Sequence, residues 1–489
     1  MKVSLIHYDV NRIVNEPGNK TVMKHFGHMP NIQLLYVASI LERLEVELQY
    51  IDVVGMGVPD EELGEKLKAF APDIVGLSVY TSHFHNAINL AAYIKSILPK
   101  TKIILGGVHT LIFPVETLEY NRHVDYVCVG EAEMVLPEFI RRLQNGEGFE
   151  GLKGLVWRDG EQVKYAGPAD ECRDLDSVPF PARHLIPNEK YYNFISTRRN
   201  YTVFNTSRGC PFHCLFCEAG GKKWRARSAE NVVDEFEECH DKFGIREVDI
   251  FDSSFTINKE RVLDICRDLI RRGLHKKMIW NVRSRVDTIN EEMLDALKEA
   301  GCYRIFYGIE SGNPVILQKL RKMADLKRME EIVRRTDKAG ISAFGYFLMG
   351  SPGETPQTVR ETVDFAKKLP LDFAIFNCLT PFPKTALYEE YYLPGANRDF
   401  WADYIKSPEP IGDFIGRPWT GIEDAELRRL SHRAMLEFYF RPGQLFRAVK
   451  SIGSLEQLWR YMRAGVDMTA SYVKNARKPA TPKKTGREK

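Results

Sequence analysis

No stretch of the sequence approaches the ~18 uninterrupted apolar residues that a membrane-spanning helix requires. The amino terminus, MKVSLIHYDV, reads as a strand and lacks the pattern of a secretory leader, so the protein is expected in the cytoplasm. Cysteine is scarce, with nine in 489 residues, none before Cys128 and no obvious disulfide framework. That fits a reducing compartment and argues against a second cysteine-bound cluster near the amino terminus. Net charge is nearly absent too: at +3 the chain carries no excess that would point to nucleic acid. What remains is an ordinary globular composition, 44% hydrophobic, in a chain long enough for two or three domains.

Against that scarcity, three cysteines crowd into residues 205–228, NTSRGCPFHCLFCEAGGKKWRARS, where Cys210, Cys214 and Cys217 form a C-x-x-x-C-x-x-C run with Phe216 before the last of them. A structural zinc takes four sulfur or nitrogen ligands. A four-iron cluster held by three thiolates keeps one iron without a protein ligand. The spacing alone admits both, and a zinc knuckle completed by His213 or a distant His is the alternative. Placement favours the cluster. Tyr201 to Thr206 reads as a strand and Ser228 as the cap of a helix to about Lys242, so the triad lies on a long loop after a strand, where β/α barrels build their sites.

The spacing, the aromatic before the third Cys and the flanking Arg208-Gly209 resemble the radical S-adenosylmethionine (radical SAM) enzymes. The resemblance implies a 4Fe-4S cluster on Cys210, Cys214 and Cys217, whose open iron is chelated by SAM, and one-electron cleavage of SAM to methionine and a 5′-deoxyadenosyl radical. Five further β/α units are expected, with strands at Glu247 to Phe251, Met278 to Val282, Tyr303 to Tyr307, Ile341 to Met349 and Phe373 to Leu379. Six units make an incomplete barrel, open on one side, over residues 201–390.

The strand ends carry groups suited to SAM. Asp252 in FDSSFT can accept from its amino group, Arg283 and Arg285 in NVRSRVD can pair with its carboxylate, and Glu310 with Ser311 in YGIESG can hold its ribose. Met349 and Gly350 offer backbone to adenine, and Phe216 is placed beside SAM by the same resemblance. Two positions depart from related sequences: Ser253 stands where a second acid is common, and Lys384 where PFPGT-type segments carry Gly.

Residues 1–145 alternate short apolar strands (Lys2 to His7, Val46 to Val53, Ile74 to Val79, Lys102 to Leu105, Val124 to Val129) with helices at Ile32 to Leu44, Glu61 to Phe70, Asn86 to Leu98 and Met134 to Leu143. This is the α/β pattern of a doubly wound, Rossmann-like parallel sheet, whose ligands sit beyond the carboxyl ends of the strands. PDIVGLS, ILGGVHTLIFP and VDYVCVGEAE, in this order, resemble the cobalamin-binding domain that precedes the radical SAM domain in one large class. The resemblance implies that Ser78, Thr81, Gly106, Gly107 and Glu131 lie along the nucleotide tail and corrin rim, with His109 near the corrin. The D-x-H-x-x-G motif that supplies a cobalt-ligating histidine elsewhere is missing, as the class leads one to expect.

Residues 146–200 are expected to be a connection with a hairpin at Asp159-Gly160, its Tyr191, Tyr192 and Phe194 packing between domains. Residues 391–473 read as a helical cap, with helices at Asp424 to Tyr439 and Leu455 to Val473 and aromatics that can line a pocket for an apolar substrate. Residues 474–489 are low in hydrophobics and basic, the composition of a disordered tail that makes at most peripheral contact with an anionic membrane.

The resemblance implies a cobalamin-dependent C-methyltransferase. One SAM supplies the radical, a second remethylates cobalamin, and an external donor such as flavodoxin or ferredoxin supplies electrons. The substrate is expected to be a small molecule. An oxidative cyclase or rearrangement enzyme acting, for example, on a tetrapyrrole is the first alternative, and a non-catalytic cobalamin- or metal-binding regulator the second.

Overall fold

Two sheets carry the chain, one on each side of the 146–200 segment. In the computed structural model, which describes residues 1–8, 27–409, 411, 415–451, 459, 462, 463 and 466, the first sheet contains β1 (Lys2–His7), β2 (Glu47–Asp52), β3 (Ile74–Ser78), β4 (Lys102–Gly106) and β5 (Tyr126–Cys128). Their order is β2-β1-β3-β4-β5 and every pairing is parallel. The inner strands β3 (IVGLS) and β4 (KIILG) are mostly apolar because helices cover both faces, whereas the edge strand β2 (ELQYID) carries Glu, Gln and Asp. On one face lie α1 (Ile32–Leu41) and, after β5, a second helix reaching Asn145; on the other lie α2 (Asp60–Phe70), α3 (Phe84–Ile97) and α4 (Val108–Ile112). The second helix of the first face is α5 (Ala132–Asn145). Chain order reverses between β1 and β3, which puts the switch point of this sheet at their carboxyl ends.

The expected hairpin is present, with its two-residue turn one position on, at Gly160-Glu161, because Asp159 pairs with Gln162, and it is no mere connection. Its strands β6 (Leu155–Asp159) and β7 (Gln162–Tyr165) pair antiparallel onto β5, so the first sheet has seven strands and extends to Tyr165. Trp157 and Val156 are buried there, and that apolar surface is why the hairpin joins the sheet.

The second sheet has six parallel strands in sequential order: β8 (Tyr201–Phe204), β9 (Glu247–Ile250), β10 (Ile279–Ser284), β11 (Cys302–Glu310), β12 (Ser342–Met349) and β13 (Phe373–Cys378). Between them run α6 (Ala229–Phe243), α7 (Lys259–Arg271), α8 (Glu291–Glu299), α9 (Leu326–Lys338) and α10 (Pro356–Lys368). Their starts are written in the sequence. Ser228, Asn258, Asn290, Asp325 and Thr355 each accept a backbone N–H of the first turn. At the amino ends of the strands, Thr197 and Arg198 donate backbone N–H groups to buried Glu247 (both 2.8 Å), and the Arg304 guanidinium donates to the Ile195 carbonyl at 2.8 Å. These bonds close the barrel floor.

The two halves interlock. Ile32 and Leu35 of α1 belong to the barrel's core, as does Tyr191, whose hydroxyl also bonds Asp52 of the first sheet. In the other direction Tyr388, Trp401 and Tyr404 pack into the first domain beside Phe84 and Phe113.

The C-terminal cap thus divides between two tasks. Helix α11 (Phe400–Lys406), not expected as a helix, carries aromatics of the expected cap and straps the first domain; helix α12 (Asp424–Tyr439) covers the exposed edge of β13. There the Tyr439 hydroxyl donates to the Ala374 carbonyl at 2.9 Å and accepts its N–H at 3.1 Å, occupying the unpaired strand edge. The expected helix at 455–473 falls mostly, and the tail at 474–489 wholly, outside the described residues; Trp459, Met462, Arg463 and Val466 are helical. Among the described residues no helix is long and apolar enough to cross a membrane.

Candidate functional site

The three cysteines occupy the loop that leaves β8. Ser207-Arg208 and Arg225-Ala226 pair as a short antiparallel ladder that ties the loop's two ends together. Within it the Cys217 N–H bonds the Cys214 carbonyl at 3.2 Å and the Lys222 N–H bonds the Cys210 carbonyl at 3.0 Å. Leu215 is buried between Leu320 and Leu387, to which its backbone is bonded at 3.0 and 2.8 Å. Cys210 is buried, whereas Cys214 and Cys217 are half-buried. Burial pushes the Cys210 and Cys217 thiols up.

Arg285 reaches this loop. Its Nη1 lies 3.4 Å from Cys214 Sγ, its guanidinium stacks 4.0 Å over the Phe212 ring, and Asp287 holds its other edge at 2.6 and 2.9 Å. His213, the proposed fourth zinc ligand, is exposed and lies over Gly221. Among the described residues no group of three or more His, Cys, Asp or Glu converges on a single metal position, the three cysteines of this loop included. The Cys210 and Cys214 thiols are near enough to Cys217 to add to the upward push on its pKa.

The other expected SAM contacts separate into those that face the loop and those that brace it. Glu310 ends β11 at a register shift, in the left-handed region (φ 68°), and pairs with buried Lys322 at 2.8 Å. A non-glycine residue held there signals a position set by surrounding structure. Ser311 is buried and shares a hydrogen bond with Thr362 at 3.0 Å. Phe216 packs beside Leu215.

Asp252 departs from expectation. Its two oxygens accept the N–H and hydroxyl of Thr206 (both 2.6 Å) and of Ser207 (3.1 and 2.7 Å), so it staples the chain that enters the cluster loop and is not an open acceptor for the SAM amine. Arg283 departs too, pairing with buried Asp249 and stacking 3.5 Å over Phe251 inside the barrel. The backbone of Met349-Gly350 is likewise engaged. The Met349 carbonyl accepts from Leu379 at 2.7 Å, the Gly350 N–H bonds Glu354, and its carbonyl accepts from Trp419 at 2.8 Å. Lys384, at the position where related sequences carry Gly, adopts a left-handed φ of 60°. That conformation accounts for glycine there.

Glu354 is buried, and burial pushes its carboxyl up to about 7. A carboxyl raised from 4.5 in this way keeps its proton where the unfolded chain loses it. The associated stability is therefore present below about pH 4.5 and is lost as pH rises through about 7. Glu354→Gln is expected to flatten the fall in melting temperature between pH 5 and 8, an effect on the order of 3 kcal/mol at most.

In the first domain a cavity of about 440 Å³ lies between the sheet and helices α1 and α5. Val3, Leu5, Gly76 and Ile104 form its floor, Leu34, Val37 and Phe139 its roof, and Ser78, Gly106 and Gly107 its inner rim. Gly107 has φ 101° and a side chain there would strike Val79 at 2.8 Å, so only glycine keeps this rim low. The far rim belongs to the barrel: Asn205, Ser207, Arg208, Gly209 and Ser253. An apolar slot opening at the switch point fits a long cofactor tail.

Thr81 and His109 lie on the opposite face of the sheet. His109 is fully buried, stacked on Phe84 at 4.0 Å with Nδ1 3.3 Å from Thr81 Oγ1, and burial lowers its pKa to about 3. Neither side chain lines the cavity. Glu131 lines the cavity, but its carboxylate is engaged by Arg225 (2.7 and 3.0 Å), Arg208 (3.1 Å) and the Cys172 N–H (2.7 Å), while Glu133 also pairs with Arg208. Burial alone would raise the Glu131 carboxyl; the two arginines outweigh it and hold it below the usual range.

Glu131 and Glu133 thus grip both ends of the cluster loop from the neighbouring domain. Sequence reasoning could not find this latch, because its charges stand up to 94 residues apart. It missed Lys322 also, a lysine with no motif around it. Glu131→Gln is expected to cost about 2 kcal/mol through weakened charge-assisted bonds, read as a fall in melting temperature with iron content unchanged.

The comparisons agree with this geometry. The Radical SAM superfamily model matches residues 204–366 and the B12 binding domain model residues 20–140. An uncharacterized methyltransferase of Pyrococcus horikoshii is 32% identical over 426 residues, covering 86% of this chain and 90% of that protein. The anaerobic magnesium-protoporphyrin IX monomethyl ester cyclase of Cereibacter sphaeroides is 28% identical over 453 residues, 91% of this chain and 73% of the cyclase. Among solved structures, the radical SAM methyltransferase TsrM of Kitasatospora setae, with cobalamin and a 4Fe-4S cluster bound, superposes with TM-score 0.69 at 17% identity, covering 97% of this chain and all of that one. With both domain models matched in one chain and a methyltransferase relative similar over most of its length, the chain belongs to the cobalamin-dependent radical SAM enzymes.

Proposed function

We propose that the protein is a C-methyltransferase that places a methyl group on an unactivated carbon of a small, largely apolar substrate. Bound together, the cluster, SAM and cobalamin supply a one-electron cleavage and a transferable methyl group. The chain's part is arrangement. Cys210, Cys214 and Cys217 hold the cluster, Arg285 donates to its sulfur environment, and Glu310, in its pair with Lys322, presents a polar strand end to SAM that Ser311 braces through Thr362. Ser78, Gly106 and Gly107 line the slot for the cobalamin tail. The Glu131/Glu133 latch keeps the two cofactor sites in one alignment.

The observation that carries the reading is the continuity of the cavity from the interior of the first sheet to the residues immediately before Cys210. It supports a corrin presented directly to the radical centre, as transfer of its methyl group demands. Reducing equivalents come from a flavodoxin- or ferredoxin-like donor in the cytoplasm.

Product analysis tests this. Extracts of cells with and without the protein are compared by mass spectrometry, and anaerobically reconstituted enzyme is given methyl-deuterated SAM and the metabolite that accumulates without it. Methyl transfer requires 5′-deoxyadenosine, S-adenosylhomocysteine and a product carrying the label. Formation of 5′-deoxyadenosine and an unlabelled, dehydrogenated or cyclised product would replace the methyltransferase with the cyclase reading.

A further inference from the structure

Helix α13 (Pro442–Ser451) is amphipathic in the inverse sense: it meets the protein with polar groups and turns apolar ones outward. Gln444, 1% exposed, donates to the Asp372 carbonyl at 2.6 Å, Arg447 pairs with Asp337 at 2.8 Å, and Arg441 bonds the Lys367 carbonyl. On the outer side Leu445 is exposed and Phe446 is 72% exposed, with Phe440 exposed just before the helix. Further on, Trp459 and Val466 are 64% and 68% exposed, and Met462 between them is exposed as well. Positions 459, 462 and 466 share one face of a helix. A monomer gains nothing by exposing Leu445 and Phe446 on one helix and Trp459, Met462 and Val466 further on; exposed apolar faces of this kind mark places of contact.

The charge of the carboxyl-terminal sequence says with what. Residues 441–489 contain 12 Lys or Arg and 3 Asp or Glu, so a chain of net charge +3 consists of a body at −6 and an end at +9. A second copy of this face would bring two +9 segments together in an isologous contact. An anionic bilayer satisfies both features, accepting Phe, Leu and Trp into its interface and the basic residues at its headgroups. We propose that the carboxyl-terminal face of this protein seats on anionic phospholipid membranes. Asp337, Lys367 and Asp372 lie at the amino ends of the strands, away from the cluster loop. The seated enzyme therefore keeps its radical centre turned from the lipid.

Vesicle co-sedimentation of the full-length protein tests this, using phosphatidylcholine alone and phosphatidylcholine mixed with phosphatidylglycerol. The wild-type chain is expected to sediment with the anionic vesicles only, at least about tenfold less in high salt, and at least about tenfold less after Phe446→Ser with Trp459→Ser. Both side chains are exposed, so the variant should keep its iron and melting temperature. Equal binding to neutral and anionic vesicles, no binding to either, or unchanged binding by the double variant would overturn the proposal. So would light scattering that finds a dimer in the wild type and a monomer in the variant, which would assign the face to a second copy.

Discussion

Replacing Cys210, Cys214 and Cys217 together by Ala should yield a folded protein without iron, lacking the brown iron–sulfur absorption and unable to cleave SAM under strong reduction. The expectation rests on the donor set. His213, the fourth zinc ligand that the loop's sequence offers, is exposed and lies over Gly221, so little in the loop can retain the metal once they are gone. The loop itself should survive, because what shapes it is elsewhere: the Ser207-Arg208 ladder, the four bonds to Asp252 and the burial of Leu215 between Leu320 and Leu387. Iron analysis, visible absorption and 5′-deoxyadenosine formation measure the loss, and a normal melting curve shows that the fold is intact. Iron retained at the wild-type ratio would refute the cluster assignment.

The second large effect belongs to the other cofactor. Gly106 lines the cavity, and a side chain at that position would meet only the Cys128 β-carbon, 3.9 Å away. Its backbone is not in the left-handed region, so a side chain there is unstrained. Gly106→Phe is therefore expected to fill the slot with a ring that costs the fold little and leaves the cobalamin tail no room. Cobalamin affinity should fall at least ~10-fold, the equivalent of ~1.4 kcal/mol, while iron content is unchanged. Gly106→Ala, which adds only a methyl group, should bind normally. Together with the cysteine variant this gives a double dissociation: each change should empty one site and leave the other loaded. Cobalamin retained by Gly106→Phe at full stoichiometry would mean that the cavity is not its seat.

The strands and helices of both sheets could be read from the sequence because each is a period or a cap that acts locally. Tyr201 to Thr206, Asp424 to Tyr439 and the cap at Ser228 needed no knowledge of distant residues. The three cysteines were legible for the same reason, since their spacing lies within one loop. What misled was chemistry that depends on neighbours remote in sequence. Asp252 stands at a strand end where a ligand-binding acid is plausible, yet it finds two hydroxyls and two N–H groups 45 and 46 residues earlier. His109 follows a Gly-Gly pair that does face the cavity, but the helix it enters turns its ring onto Phe84. Glu131, placed along the corrin rim by the resemblance, does line the cavity, and its ion pairs across the boundary are what the sequence leaves hidden. The hairpin of β6 and β7 was legible as a hairpin, and its membership in the first sheet was not, because edge pairing is decided by which strand is left open.

The exchange of side chains between the two halves bears on how this protein can diversify. Ile32 and Leu35 complete the barrel's core, and Tyr388, Trp401 and Tyr404 complete that of the other domain. Neither half is a cassette that recombination can lift out, since each would leave with a hole in its own interior and a greasy remnant of its neighbour. New substrates must therefore be reached by changing loops and lining residues within an indivisible frame, and shuffled chimeras joined near residue 200 should aggregate.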